Sequence, residues 1–147
     1  MSRRFYAAAV IALSLGTSAF AQSFPTLELS AGIHRIEVEV AATQRNRMQG
    51  LMQRETLAAN RGMLFVFPAD SRHCMWMRNT LVALSVAFLD GAGKIINVED
   101  MQPRTENNHC AARPARYALE MNLGWFQRHG IGPGDVLSGI EKAPPSD

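Results

Sequence analysis

The chain has 147 residues, with 15 Lys and Arg, 13 Asp and Glu, and two cysteines, which is enough for one domain. Arg3 and Arg4 belong to an N-terminal segment that we expect to be removed, so the remaining chain carries 13 basic and 13 acidic residues. This neutral balance argues against a nucleic-acid-binding surface, and no apolar run is long enough for a membrane-spanning helix.

The N-terminal segment has the composition of an export signal. A short basic start (residues 2–4) precedes an apolar run (residues 7–15), and Ala-Phe-Ala at residues 19–21 is a small-x-small cleavage pattern. We therefore expect a signal peptide over residues 1–21 and a periplasmic location for the mature protein. The adjacent arginines leave the general secretory route and the twin-arginine route both open.

Most of the mature chain has the alternation of apolar and polar residues that is typical of strands. The predicted strands cover residues 26–30, 33–41, 62–67, 75–77, 84–89, 95–98, 117–122 and 136–140. Pro68 should end the third strand, and the segment Asp90-Gly91-Ala92-Gly93 predicts a hairpin turn that needs a positive φ at a glycine.

Two short helices interrupt the strands. Thr43 is a candidate N-cap for a helix over residues 44–52, whose core-facing side chains would be Met48, Leu51 and Met52. Asn122 is a candidate N-cap for a second helix over residues 123–129, with Gly130 just beyond its end.

Together these elements predict a mainly β fold: a single compact sandwich or barrel of jelly-roll-like character with two short helices. This domain would span residues 22–142 and be followed by a disordered tail over residues 143–147. We expect it to be a monomer.

The two cysteines, Cys74 and Cys110, each follow a histidine. In an oxidising compartment the favoured interpretation is a disulfide bond between them, which would close a loop of about 37 residues. A redox pair would more often be Cys-x-x-Cys, and a zinc site would need more thiolates or closer histidines.

Several motifs occur in a characteristic order along the mature chain. They are Arg47–Arg54 (RMQGLMQR), Gly62–Phe67 (GMLFVF), Met75–Thr80 (MWMRNT), Phe88–Asp90 (FLD), Tyr117–Glu120 (YALE) and the segment Gly124–Gly134. This succession resembles the bacterial and archaeal family called domain of unknown function 192. The resemblance implies a single, mainly β domain and brings no biochemical activity with it. Where the family pattern leads us to expect Pro-Leu-Asp, this chain has Ala83-Leu84-Ser85.

Polar residues within or beside these motifs are the candidate ligand-binding residues. They are Arg47, Arg78, Asn79, Thr80, Glu120 and Asn122. Arginines in one pocket could hold an anion through paired hydrogen bonds. The alternative, which we favour, is structural: Arg54 or Arg78 pairs with Glu120 in the core, and the asparagine satisfies turn groups.

Other chemistry is less well supported by the sequence. Methionines and histidines in an exported protein raise the possibility of a copper(I) site, with candidate ligands His73, Met75, Met77 and His109. Methionine more often fills gaps in a core, and we expect no cofactor. The chain has no nucleophile elbow and no phosphate-binding glycine loop.

The sequence thus predicts an exported domain that binds a small ligand or an envelope partner. A hydrolase or transferase with an Arg/Asn/Glu pocket is the alternative, and a copper(I)-binding protein is a second alternative.

Overall fold

A computed structural model describes residues 23–147, and the predicted signal peptide lies outside the described residues. The described chain forms nine strands, two short α-helices and one 3₁₀ turn. In chain order these are β1 (Thr26–Ala31), β2 (His34–Ala41), α1 (Gln44–Gln49), β3 (Arg61–Ser71), β4 (Cys74–Met75), β5 (Leu84–Leu89), β6 (Ile95–Met101), β7 (His109–Cys110), β8 (Ala115–Asn122), α2 (Trp125–Arg128), β9 (Leu137–Ser138) and the 3₁₀ turn (Ile140–Lys142).

Seven of the strands form one sheet in the order β6-β5-β8-β3-β2-β1-β9. Neighbouring strands are antiparallel except β2 and β3, which run parallel because helix α1 and the loop after it carry the chain back across the sheet. Ile95 donates its backbone N–H to Asp135, and Leu137 donates to Gly93, which joins the two edges of the sheet at one corner. The sheet therefore curls into a half-barrel, and the predicted mainly β fold with two short helices is confirmed.

The two faces of this sheet carry separate apolar cores. Alternating side chains of the central strands, among them Leu64 and Leu119, pack with Trp125 and Phe126 of α2 on one face. The residues between them in sequence, such as Phe65 and Ala118, pack on the other face with the loops that follow α1 and β4. No helix within residues 23–147 has the length and apolarity needed to cross a membrane.

The predicted disulfide between Cys74 and Cys110 is confirmed. The two residues are directly paired across the β4–β7 ribbon, and their Cα atoms lie 4.0 Å apart. This small ribbon lies outside the main sheet, so the disulfide holds in place a segment that has few backbone hydrogen bonds of its own.

Several predicted element boundaries are wrong. Strand β3 continues past Pro68 to Ser71 because a register shift after Val66 accommodates the proline. The predicted strand over residues 75–77 ends at Met75, and the last predicted strand is reduced to the two residues of β9, followed by the 3₁₀ turn.

The caps and the hairpin turn differ in part from the sequence prediction. Thr43 caps α1 as predicted, since its hydroxyl accepts the N–H of Asn46. The N-cap of α2 is Gly124 rather than Asn122. In the predicted hairpin turn the positive φ falls on Gly93, at +80°, and not on Gly91.

Candidate functional site

A groove of about 540 Å³ opens beside helix α1, on the face of the sheet that carries Phe65. Its walls are mainly thioethers and aromatic rings, contributed by Met48, Met52, Phe65, Phe67, Met75 and Trp76. Arg47, Arg78 and Asn79 also line it. Met48 is 69% exposed and Trp76 is 45% exposed, so two large apolar side chains border the groove in contact with solvent.

Helix α1 forms one wall because its end lies close to strand β3. The helix stops at Gly50, which has a φ of +46° and donates its N–H back to Asn46. A Cβ atom at Gly50 would lie 3.2 Å from the ring of Phe65, so both this close approach and the positive φ favour glycine here. Met48, within this helix, is exposed, and the prediction that it faces the core is wrong.

The opposite wall is held by the disulfide-bonded ribbon. Strand β4 ends at Met75, and the chain then presents Trp76 and Arg78 to the groove while Met77 is fully buried. The backbone N–H of Met77 donates to Thr105, and Asn79, with a φ of +54°, accepts the N–H of Gln53. The loop after β4 is therefore tied to the segments on either side of it.

Glu120 lies at the floor of the groove. It projects from β8 toward the Phe65 face, between its cross-strand partners Met63 and Val86, and it is only 4% exposed. A small recess of about 30 Å³ lies over Glu120 and Thr80, and the same methionines and aromatic rings line this recess and the larger groove. The two cavities are therefore adjacent and share these walls, with Glu120 at the bottom of the recess.

The carboxyl group of Glu120 has no hydrogen-bond or ion-pair partner within residues 23–147. In this part of the chain, every side-chain oxygen or nitrogen that is inaccessible to solvent has a hydrogen-bond partner. The carboxyl oxygens of Glu120 have no partner, so they must be accessible at the surface of the recess. Burial raises the pKa of Glu120 from 4.5 to about 8, because the charged form loses its water and gains no compensating partner. The acid is therefore mostly neutral at pH 7.

The favoured structural pairing of Glu120 with an arginine is wrong. Arg54 instead pairs with Glu39 at 2.7 Å, and Arg78 lies 3.5 Å from Glu106. Both arginines belong to loops, and each pairs with an acid that is in contact with solvent. Arg78 also lies over the ring of Trp76, at 5.5 Å from its centroid.

Arg47 is held by backbone and tail groups rather than left open to the groove. Its guanidinium donates to the carbonyl oxygens of Ala42 and Val66 and to the hydroxyl of Ser146, and it lies 3.2 Å from the carboxylate of Asp147. The sequence predicts a disordered tail here, whereas the structure places the last two residues against this arginine. The side chain of Arg47 is 15% exposed.

The remaining candidates divide between the groove and the scaffold. Asn79 and Thr80 lie at the groove and its recess with Arg47, Arg78 and Glu120, so five of the six predicted residues come together. Asn122 does not: its amide donates to the carbonyls of Leu57 and Ala58 and fixes the long loop after α1.

The four copper candidates do not converge. His73 stacks on the ring of Phe67 and contacts the carbonyl of Ala69, while His109 lies against Asn107 and Glu99. Met75 lines the groove and Met77 is buried. Within residues 23–147, no cluster of three His, Cys, Asp or Glu side chains could hold a metal ion.

Ser85, which stands where the family pattern leads us to expect Asp, has a structural role. Its hydroxyl donates to Asp100 on the neighbouring strand and accepts the N–H of Gly124 at the start of α2. Asp100 of β6 thus places a carboxylate beside Ser85, the position on β5 where the family pattern leads us to expect Asp.

The groove-lining function of Met48, Met52 and Phe67 was missed from the sequence. Their apolar character is equally typical of a core, and helical periodicity assigned both methionines to it. The early end of α1 is what separates a groove position from a core position for these side chains. Gly50, in the Met-Gln-Gly-Leu-Met run, could have indicated that early end.

The fold and the site define a class: a half-barrel β domain with an apolar, ligand-sized groove that has a buried acid at its floor. The chain belongs to the DUF192 family, described as "Uncharacterized ACR", whose model matches residues 26–139. The resemblance inferred from the sequence motifs is therefore confirmed.

Solved structures similar to this chain include the following two. One is a candidate transcription regulator from Sinorhizobium meliloti 1021, with 33% identity, a TM-score of 0.79, and coverage of 82% of this chain and 98% of that one. The other is a protein of unknown function from Novosphingobium aromaticivorans DSM 12444, with 30% identity, a TM-score of 0.71, and coverage of 78% and 84%. No curated protein sequence is significantly similar to this chain.

Proposed function

We propose that this protein is an exported domain that binds a small amphipathic ligand in the groove beside helix α1. The observation that carries the proposal is the groove itself. Its volume of about 540 Å³ falls in the range of natural ligand sites, and its walls are mainly apolar with a few polar groups at defined points.

The chemistry of the walls favours a flexible, partly apolar ligand. Thioether side chains adapt to varied apolar shapes, and Met48, Met52 and Met75 lie on different parts of the groove wall. The ring of Trp76, 45% exposed beside Arg78, adds a flat surface for stacking. A ligand that buries these side chains would remove apolar surface from water, which is the main source of affinity.

An exported location is supported by the disulfide and by the signal-like N-terminus. Disulfides persist in oxidising compartments, and the ribbon joined by Cys74 and Cys110 forms part of the groove wall. The same location and the neutral charge of the mature chain argue against the regulatory function that the name of the Sinorhizobium relative suggests.

The proposal is tested with the mature, disulfide-bonded domain and the fluorescent amphiphile 1-anilinonaphthalene-8-sulfonate. We expect saturable binding at one site, with a change in Trp76 emission that the variant Trp76→Phe removes. The variant Met52→Gln, which makes the wall polar, should weaken binding about five- to ten-fold, equivalent to roughly 1 kcal/mol of apolar contact.

Ile33→Gln is the matched control, because Ile33 is 92% exposed and lines a different cleft. This control should bind the dye as the wild type does. Equal weakening in both variants would mean that the dye senses general surface hydrophobicity, and the proposal would fail.

Catalysis is the second candidate, and Glu120 is the observation that favours it. A carboxyl with a pKa of about 8 is suited to proton transfer near neutral pH. The recess over it holds only about 30 Å³, however, which leaves space for a group the size of a water molecule and not for a scissile bond with both its substituents. Binding therefore explains the site better than hydrolysis or group transfer does.

A further inference from the structure

Glu120 is the feature that the proposed binding function leaves unexplained. It is a carboxyl group 4% exposed at the end of an apolar groove, with no partner among residues 23–147. An acid buried without a hydrogen-bond partner is costly, and a glutamine or an apolar residue would fill the same space more cheaply. Because the carboxyl faces a cavity, its partner must come from outside the protein, and this partner is either water or a ligand group that displaces it.

The size of the recess limits that partner. About 30 Å³ accommodates one or two atoms beyond hydrogen, so a carboxylate, a phosphate or a sugar ring would not enter. A terminal ammonium or hydroxyl group would. The methionine and aromatic walls above the recess would then surround an apolar stem.

The sign of the charge decides between these two groups. An ammonium can donate hydrogen bonds to both oxygens of the ionised carboxylate and also neutralise its charge, whereas a hydroxyl can pair with the neutral acid but leaves the ionised form without a counter-charge. Two arginines line these cavities and both are engaged elsewhere: Arg47, which also borders the recess, with two backbone carbonyls and the carboxylate of Asp147, and Arg78 with Glu106. Neither arginine competes for the floor of the groove.

We infer that the groove recognises a primary alkylammonium group, with the ammonium in the recess against Glu120 and its apolar stem along the methionine-lined wall. This inference rests on the proposed function and names the ligand class for the same groove. Such a group occurs at the end of a free alkylamine and at the end of a lysine side chain.

Binding should then be coupled to loss of a proton. Burial keeps the pKa of Glu120 near 8 in the free protein, so at pH 7.5 most molecules must release the carboxyl proton when the cation enters. Affinity for the amine should rise between pH 6 and pH 8.5, while the amine itself remains charged up to about pH 10.

Three probes with the same apolar stem test this inference: n-hexylamine, hexan-1-ol and hexanoate. Their affinities for the disulfide-bonded domain are measured at pH 7.5 by Trp76 emission and by calorimetry in phosphate and in HEPES, neither of which contains a primary amine. Hexylamine should bind at least about ten-fold more tightly than hexanol, and hexanoate more weakly than either. The heat of hexylamine binding should differ between the two buffers by an amount that corresponds to release of more than half a proton.

The variant Glu120→Gln should lose the preference for the amine and its proton release, while binding hexanol within about two-fold of the wild type. Retained hexanol binding also demonstrates that this variant is folded. Glu120→Asp keeps the charge and should keep a preference for the amine. Lysine amide acetylated on its α-nitrogen, which keeps the side-chain ammonium, is compared with hexylamine. This comparison distinguishes a lysine side chain from a free alkylamine as the source of the ammonium group.

Contrary outcomes are distinguishable. If hexanol and hexylamine bind equally, or hexanoate binds best, or Glu120→Gln leaves the amine preference intact, the inference fails while ligand binding in the groove stands. If none of the probes binds and the fluorescent dye does not bind either, the inference and the proposed function fail together.

Discussion

The substitution Glu120→Gln should remove most of the pH dependence of stability between about pH 5 and pH 8. Glu120 is neutral in the folded protein up to a pKa of about 8, whereas in the unfolded chain it ionises near its ordinary value of 4.5. Between these two values the folded state binds one proton more than the unfolded state. The free energy of unfolding must therefore fall as the pH rises.

The size of this loss follows from the shift in pKa. Each pKa unit corresponds to about 1.4 kcal/mol, so the wild type should lose up to roughly 5 kcal/mol between pH 4.5 and pH 8, and about the same amount at any higher pH. Such a loss is a large share of the stability of a domain of this size. Glutamine has nearly the same shape as the neutral acid and does not titrate.

Urea denaturation of both proteins at pH 5, 6, 7 and 8.5, with the disulfide intact, measures the effect. The two curves of unfolding free energy against pH should lie closest at pH 5 and diverge steadily up to about pH 8, with the variant the more stable protein by about 2 kcal/mol at pH 6 and by roughly 5 kcal/mol at pH 8.5. Glu55→Gln, at an exposed position, is the control and should follow the wild type. Parallel curves for wild type and Glu120→Gln would refute the assignment of a raised pKa to this residue.

Two further predictions concern the walls of the groove. Arg47→Met should lower the free energy of unfolding in urea by about 1–3 kcal/mol, because two backbone carbonyls lose their donor. Arg78→Met should lower it by less than about 1 kcal/mol, because the ion pair of Arg78 with Glu106 is exposed. Equal effects of the two variants would contradict this assignment. Replacing both Cys74 and Cys110 with serine should lower the unfolding free energy by about 3–4 kcal/mol. It should also weaken dye binding, because the ribbon positions Met75 in the groove wall. Unchanged dye affinity in the folded variant would show that the disulfide does not shape the groove.

The sequence by itself determined most of the secondary structure of this protein. Strict alternation of apolar and polar residues marks β1 and β2, and a continuous apolar run marks residues 62–67 of β3, which are all buried. These patterns are local consequences of the two-residue period of a strand, so no partner is needed to recognise them. The disulfide could also be predicted, because the N-terminal segment predicts export and the chain has only two cysteines to pair.

Only the tertiary structure decided which polar residues pair and which apolar residues remain exposed. Arg78 pairs with Glu106 and not with Glu120. Which acid it meets depends on how the loops fold over the sheet, and that is a long-range property. Similarly, Met48 and Leu51 have the same apolar character, and the end of α1 at Gly50 leaves one in solvent and buries the other. The groove exists because helix, sheet and disulfide ribbon meet around Phe65, and no local pattern encodes the space between three separate elements.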